Sequence, residues 1–241
     1  MILHRPISRR HVLRTGAAFT ALSALSPARM AMADPTGDPF VLRAASGQAA
    51  LRPSPYGPTN VWSYNGSVPG PEIRVRRGDR VRVLAQNGLD EGTTIHWHGI
   101  RTPNAMDGVP FLTQDPIPVD GDFLYEFDAL DAGTFWYHPH QRSSEQVGRG
   151  LYGPLIVEEA DPIRVDRDLT WMLDDWRMTR DGQIADDFGN RHDATHGGRI
   201  GNSVTINGQI PDRIAVRSGE RIRLRLVNAA NARIFGLDFG G

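Results

Sequence analysis

Apolar and polar residues alternate along much of the chain with a period of two. In the clearest stretch, four apolar residues alternate with four arginines: Ile73, Val75, Val81 and Val83 with Arg74, Arg76, Arg80 and Arg82. This period places one set of side chains on each face of a strand, so the segments are predicted to be half-buried β-strands. Turn dipeptides separate the apolar stretches: Asn65-Gly66, Asn87-Gly88, Asp107-Gly108, Asp120-Gly121, Asp181-Gly182 and Asn207-Gly208. The pattern predicts an all-β sandwich or barrel.

The predicted strands occur in two similar copies. The stretch from Asn65-Gly66 through Gly78-Asp79-Arg80 is echoed from Asn207-Gly208 through Gly219-Glu220-Arg221. From Ile73 onward the offset is constant, and Ile73 corresponds to Ile214. A period this long indicates a duplicated β domain rather than a solenoid. We expect a complete domain over residues 40–160 and a second, truncated copy over residues 168–241.

Composition restricts the chemistry that is possible. The 241 residues are 39% hydrophobic and 23% charged, which is typical of a globular protein. Cys is absent, which excludes disulfides, thiolate metal sites and a cysteine nucleophile. The segment 1–33 holds five Arg and no acid, so the segment 34–241 has 22 Arg against all 28 Asp and Glu. That acidic balance argues against a nucleic-acid partner.

The segment 1–33 is predicted to be an export signal. Arg9 and Arg10 precede an uncharged, modestly apolar stretch over residues 15–26 and the triplet Ala31-Met32-Ala33. This order is typical of a twin-arginine signal peptide cleaved before Asp34; a frayed basic terminus or an amphipathic helix is the alternative. The apolar stretch is about half of the roughly 20 residues that cross a bilayer. We therefore expect a periplasmic or secreted protein without a membrane span.

Four of the eight histidines form two close pairs, His96-Trp97-His98 and His138-Pro139-His140. On a strand, residues i and i+2 project from the same face about 7 Å apart, so each pair can present two imidazoles to one cavity. One pair alone is more typical of ordinary strand or solvated histidines, but two pairs in one domain favour a metal site. Imidazole without thiolate favours copper or zinc. Apolar neighbours such as Trp97 and Trp136 would form a dry wall around the site.

The segments that contain these pairs, and two further segments near them, resemble those of multicopper oxidases of the laccase-like group. The matching segments are Thr94–Ile100, Met106–Pro110 with Thr113-Gln114, Gly133–His140 and Gly150–Val157. The resemblance runs from about Phe40 to the end of the chain and implies a cupredoxin-like Greek-key β-sandwich. It also implies an oxidoreductase that couples one-electron oxidation of its substrate to reduction of O2 to water at a trinuclear copper cluster. The implied partners are O2 and a reducing small-molecule or metal-ion substrate.

The same resemblance implies roles for individual residues. His96 would bind the type 2 copper, His98 and His138 one type 3 copper, and His140 the other. In that family the remaining cluster ligands and the Cys-containing type 1 site lie in a C-terminal domain, which is missing here. Asp107 is either a plain turn residue before Gly108 or, by resemblance, a carboxylate near the type 2 copper that helps to deliver protons.

The second copy is expected to lack copper. The offset of the repeat carries His96 to Leu237 and His98 to Phe239, which would fill a core instead. His192 and His196 are spaced i, i+4, but the glycines on both sides favour a solvated loop. Asp174-Asp175 is explained by the end of a strand before Trp176.

Two other functions remain open: a periplasmic cupredoxin-like scaffold of the cell-division type, and a copper-binding fragment without oxidase activity. Four retained histidines argue against the scaffold, which has no need for neighbouring buried imidazoles. We expect this chain alone, with half of the cluster ligands and no Cys, to be incomplete and inactive. In-frame His-x-x-His-x-His and His-Cys-His motifs downstream of Gly241 would establish the oxidase.

Overall fold

Two mixed β-sheets face each other around an apolar core in this computed structural model, which describes residues 31–32, 37–211 and 213–239. The first sheet has the spatial order β3 (Thr59–Tyr64), β2 (Phe40–Ala49), β5 (Arg80–Gly88), β7 (Asp122–Asp128). The second has the order β1 (Ala31–Met32), β4 (Ile73–Arg76), β9 (Gly153–Glu158), β8 (Gly133–His138), β6 (His96–His98). Both sheets contain parallel and antiparallel pairs. The predicted all-β sandwich of Greek-key type is confirmed.

The alternating pattern produces the core between these sheets. In β5, Val81 and Val83 are buried, whereas Arg80 is exposed. The largest side chains of this core are aromatic: Tyr64, Trp97, Tyr125, Phe127 and Tyr137. Each such burial contributes about 1.5–3 kcal/mol relative to an exposed side chain. The core therefore fixes the strands that carry the histidines.

A third sheet continues the chain. Its order is β11 (Ser203–Ile206), β10 (Arg167–Trp176), β12 (Ile222–Asn228). A separate apolar cluster joins this sheet to the first sandwich, with Tyr152 and Val147 on one side and Trp176, Met172 and Val227 on the other. Three short helices lie in the connections: a 3-10 helix (Asn104–Met106), α1 (Ser143–Gly148) and α2 (Arg191–Thr195).

The internal repeat is visible in the backbone. β2 runs antiparallel to β3 and parallel to β5, and β10 runs antiparallel to β11 and parallel to β12. Asn65 and Asn207 both occupy the left-handed region, with φ of 52° and 53°. Their side-chain oxygens accept hydrogen bonds of 2.7 Å from the N–H of Arg43 and 2.8 Å from that of Met172. The two copies thus share one hydrogen-bonded frame, as the sequence repeat predicts.

One expectation about the second copy is wrong. His192 lies in α2 and His196 caps its end, where the sequence predicted a loop. The Asn190 side chain accepts a hydrogen bond from Asp193 N–H, and this N-cap outweighs the flanking glycines. Leu237 and Phe239 are 40% and 69% exposed at the end of the described residues, and their place in a core of the second copy stays a prediction.

Most of the predicted export signal lies outside the described residues. Of the segment 1–33, only Ala31–Met32 are described, as β1, which pairs parallel with β4. Within the described residues, no helix is long and apolar enough to cross a membrane. The domain limits at 40–160 and 168–241 stay predictions.

Candidate metal centre

Strand register brings the two histidine pairs together. β6 and β8 pair antiparallel, so that His96 lies opposite His138 and His98 lies opposite Trp136. Because side chains alternate along a strand, these four residues share one face. Trp97, between the two histidines of β6, points into the sandwich core and is fully buried. Core packing of Trp97 therefore aims both imidazoles of β6 away from the core.

The four histidines form one cluster, called here the four-histidine cluster (His96, His98, His138 and His140). Five of its six ring pairs have centroid distances between 5.1 and 6.0 Å. One ligand nitrogen from each of His96, His98 and His138 lies within 4.8 Å of the other two. The structure thus brings all four predicted ligand residues together, and their assignment to individual copper ions stays a prediction.

The ring nitrogens are arranged for metal binding. His96 Nδ1 lies 2.7 Å from the carbonyl oxygen of Asp107, and His138 Nδ1 lies 2.9 Å from that of Pro139. A carbonyl only accepts, so each Nδ1 carries the proton and each Nε2 keeps its lone pair. His98 Nδ1 lies 3.3 Å from His138 Nε2. Metal–imidazole bonds are about 2.0–2.1 Å long, so these two nitrogens are close enough to bind one ion.

Burial keeps three histidines of the cluster uncharged. His138 is the most buried of the four; burial, reinforced by the neighbouring histidines, lowers its pKa to about 3. Burial and repulsion from His96 also lower the pKa of His98 and His140. Neutral imidazole is the form that binds metal ions, so these histidines are in their ligand form at neutral pH.

A tight turn places Asp107 beside His96. Asp107 Oδ1 lies 3.4 Å from His96 Nδ1 and 3.4 Å from the hydroxyl of Thr102, which donates to it. Gly108 follows with φ of 74°, and a Cβ there would lie 1.9 Å from the carbonyl oxygen of Ile95. Only glycine allows this approach, because any larger residue would overlap the backbone before β6. Asp107 therefore both belongs to the turn and lies next to a histidine of the cluster.

Two contacts that position histidines of the cluster were not predicted from the sequence. The His140 N–H donates a 3.1 Å hydrogen bond to Thr94 Oγ1, across 46 positions of sequence. Trp136 stacks on His138 with centroids 4.2 Å apart and also lies 5.1 Å from the ring of His98. Trp136 thus forms the expected dry wall, whereas Trp97 does not. In the sequence, only the position of Thr94, two residues before His96, could have indicated its hydrogen bond to His140.

The remaining candidates lie outside the four-histidine cluster. His192 and His196 have ring contacts with each other but none with the cluster among the described residues. Asp174 and Asp175 stand at the end of β10, as predicted, and both are buried. Burial raises the pKa of Asp174 well above its usual range, whereas Asp175 accepts a 2.8 Å hydrogen bond from Arg233.

Known proteins match the chain over most of its length. Residues 47–162 match the family model of multicopper oxidases. The copper resistance protein A homolog of Pseudomonas syringae pv. tomato is 34% identical over an alignment 224 residues long, which covers 74% of this chain and 38% of that protein. The multicopper oxidase MmcO of Mycobacterium tuberculosis is 32% identical over an alignment 207 residues long, which covers 74% of this chain and 40% of that protein. The chain therefore spans well under half the length of these curated relatives.

Solved structures of multicopper oxidases also match the chain, and they confirm the cupredoxin-like fold. A multi-copper oxidase from Pseudomonas thermotolerans superimposes with a TM-score of 0.77 at 40% identity, over 85% of this chain and 48% of that one. The blue copper oxidase of Nitrosomonas europaea gives 0.67 at 34% identity, over 79% of this chain and 60% of that one. Sequence, fold and the clustered histidines agree, and the chain belongs to the multicopper oxidase family.

Proposed function

We propose that this chain supplies four histidine ligands to a trinuclear copper cluster in an exported oxidase that reduces O2 to water. The observation that carries the proposal is the four-histidine cluster, in which three ligand nitrogens lie within 4.8 Å of one another. Strand pairing fixes this arrangement, which suits a preorganised metal site. Imidazole donors match copper, the metal named in the family.

The nitrogen geometry supports a division of ligands between ions. His98 Nδ1 and His138 Nε2, 3.3 Å apart, would share one type 3 copper. His96 would bind the type 2 copper through Nε2, because Asp107 occupies its Nδ1. His140 would bind the other type 3 copper, at a position fixed by Thr94.

The bound coppers would supply the redox chemistry that reduces O2. The residues of this chain would orient the ligands, restrict water and hold protons. The carbonyl of Asp107 fixes the tautomer of His96, and Trp136 covers the rings of His98 and His138. The Asp107 carboxylate, one third exposed and 3.4 Å from His96 Nδ1, lies where it can help to deliver protons from solvent to the cluster.

The rest of the oxidase would come from parts that this chain does not span. It covers 38% of the first curated relative, and it contains no Cys for a blue copper site. We infer that the other cluster ligands, and the site that takes electrons from a reducing substrate, lie in that remaining length. We further propose export through the twin-arginine pathway with cleavage before Asp34, on the basis of Arg9-Arg10 and Ala31-Met32-Ala33.

The proposal is tested by expressing the chain with whatever its gene encodes downstream of Gly241. We expect the product to consume O2 with a reducing substrate, and His138→Ala to abolish that consumption while circular dichroism stays unchanged. Gln48→Ala, on the exposed side of β2, is the control and should keep full activity. A stop codon directly after Gly241, or O2 consumption that survives in His138→Ala, would contradict the proposal.

A further inference from the structure

α2 and its cap carry a second histidine pair that the four-histidine cluster does not use. The rings of His192 and His196 stack with centroids 4.3 Å apart and an interplanar angle of 22°. Both residues are exposed. The stacking places both rings on the same side of the segment, with His192 in α2 and His196 directly after it. Two imidazoles therefore face the same region of solvent.

The ring nitrogens of this pair leave lone pairs available. His196 Nδ1 lies 3.2 Å from the carbonyl oxygen of His192 and 3.0 Å from Thr195 Oγ1. Nδ1–H donates to the carbonyl, so Nε2 of His196 keeps its lone pair. Within the described part of the chain, the ring of His192 has no hydrogen bond. Each ring can thus offer a nitrogen to an ion from outside.

The turn that presents the pair is held firmly. Arg177 pairs with the carboxylate of Asp193 through two hydrogen bonds of 2.8 Å and reaches Asp187 at 2.7 Å. Phe188 lies between two arginines, with Arg199 3.8 Å and Arg149 4.9 Å from its ring centroid. Arg149 follows α1, so this contact anchors the turn to the first sandwich. A fixed turn lowers the entropic cost of closing a chelate.

We propose that His192 and His196 form a second metal site, which takes a divalent first-row transition ion and holds Cu(II) most tightly. Two histidines at i, i+4 on one helical face are the chelate of helical zinc motifs. Asp193 is engaged by Arg177 and Asn190, so water or an external ligand completes the coordination. The affinity order of such nitrogen sites places Cu(II) above Ni(II) and Zn(II). Mg(II), which requires oxygen ligands, is not held.

Residue-resolved chemical labelling tests this site. Diethyl pyrocarbonate modifies imidazole nitrogens that are not bound to metal, and trypsin cleaves after arginine. The pair falls alone on the peptide of residues 192–199, whereas the four-histidine cluster falls on peptides 83–101 and 102–142. The full chain is labelled without metal and with Zn(II), Cu(II) or Mg(II). Failure of this site and failure of the four-histidine cluster are therefore read from different peptides.

We expect Zn(II) and Cu(II) to lower labelling of peptide 192–199 at least about fivefold, and Mg(II) to leave it unchanged. In His196→Asn, the remaining His192 should be labelled equally with and without Zn(II), while the cluster peptides behave as in the parent chain. The matched variant His138→Asn should keep the protection of peptide 192–199. Equal labelling of the parent chain with and without Zn(II), or protection that persists in His196→Asn, would overturn the proposal.

Discussion

The two copies of the repeat share a backbone frame but differ in the outer face of their equivalent strands. Leu84 of β5 is partly exposed, whereas its equivalent in β12, Arg225, is 3% exposed. Gln86 of β5 is also partly exposed, whereas its equivalent, Val227, is 6% exposed. The face that is outermost in the first copy is thus buried against the first sandwich in the second.

Paired charges make this burial possible. Arg225 binds the carboxylate of Asp168 through two hydrogen bonds of 2.7 Å and donates a third, of 3.0 Å, to Thr134 in β8. Arg74 of β4 lies 3.5 Å from the same carboxylate. A buried arginine is tolerated only with such partners. The comparison shows that the outer face of one strand frame can face solvent or dock against a neighbouring sheet.

The residues of the four-histidine cluster do not lie on the strands that the two copies share. His96 and His98 lie on β6, His138 ends β8, and His140 follows it. β6 is the last strand of its sheet. The proposed metal site therefore lies at a sheet edge, and the shared frame provides its support.

The largest effect is expected from Gly108→Ala, in the tight turn beside the four-histidine cluster. A Cβ there would overlap the Ile95 backbone, and φ is also positive, so the substitution should destabilise the fold by about 3 kcal/mol or more. Gly78 and its repeat equivalent Gly219 have positive φ but no atom within 4 Å of a Cβ, so Ala there should cost about 1 kcal/mol. Urea unfolding measures all three, and equal losses at Gly108 and Gly78 would disprove the tight turn.

A smaller effect is expected where the two copies meet. Arg225→Ala leaves Asp168 with fewer partners and should lower the free energy of unfolding by about 2 kcal/mol, less than for a fully buried pair because Asp168 is partly exposed. Arg223→Ala removes the more exposed pair with Glu159 and should cost less than about 1 kcal/mol. Urea denaturation of both variants checks the difference. If Arg223→Ala is the more damaging, β12 does not dock through Arg225.

The smallest effects test whether the frame is really shared. Asn65→Ala and Asn207→Ala each remove two hydrogen bonds and a residue that tolerates the left-handed region. Each should cost about 1–2 kcal/mol, and the two losses should agree within about 0.5 kcal/mol. Thermal and urea unfolding give both values. A loss confined to Asn65 would mean that the second turn contributes little to the fold.

Local sequence patterns predicted the strands, the repeat and the shared orientation of the two histidines within each pair. These features depend on short-range periodicity and on the alternation of side chains along a strand. The pairing of β6 with β8, the hydrogen bond between Thr94 and His140 and the burial of Arg225 depend on contacts between segments far apart in sequence. Periodicity carries no information on such contacts, and the convergence of the two pairs was implied by the family resemblance. The turn of α2 was predicted as a loop for a different reason, because the flanking glycines were given more weight than the local Asn190 cap.

The most direct measurement is Cu(II) binding to the chain that carries His192→Asn and His196→Asn, followed by electron paramagnetic resonance. We predict bound copper with more than one imidazole nitrogen in its coordination. Adding His98→Asn and His138→Asn should weaken binding by about a hundredfold or more, since it removes two ligands, while circular dichroism stays unchanged. Unchanged affinity and an unchanged spectrum after these two substitutions would contradict the assignment of the four-histidine cluster as a copper site.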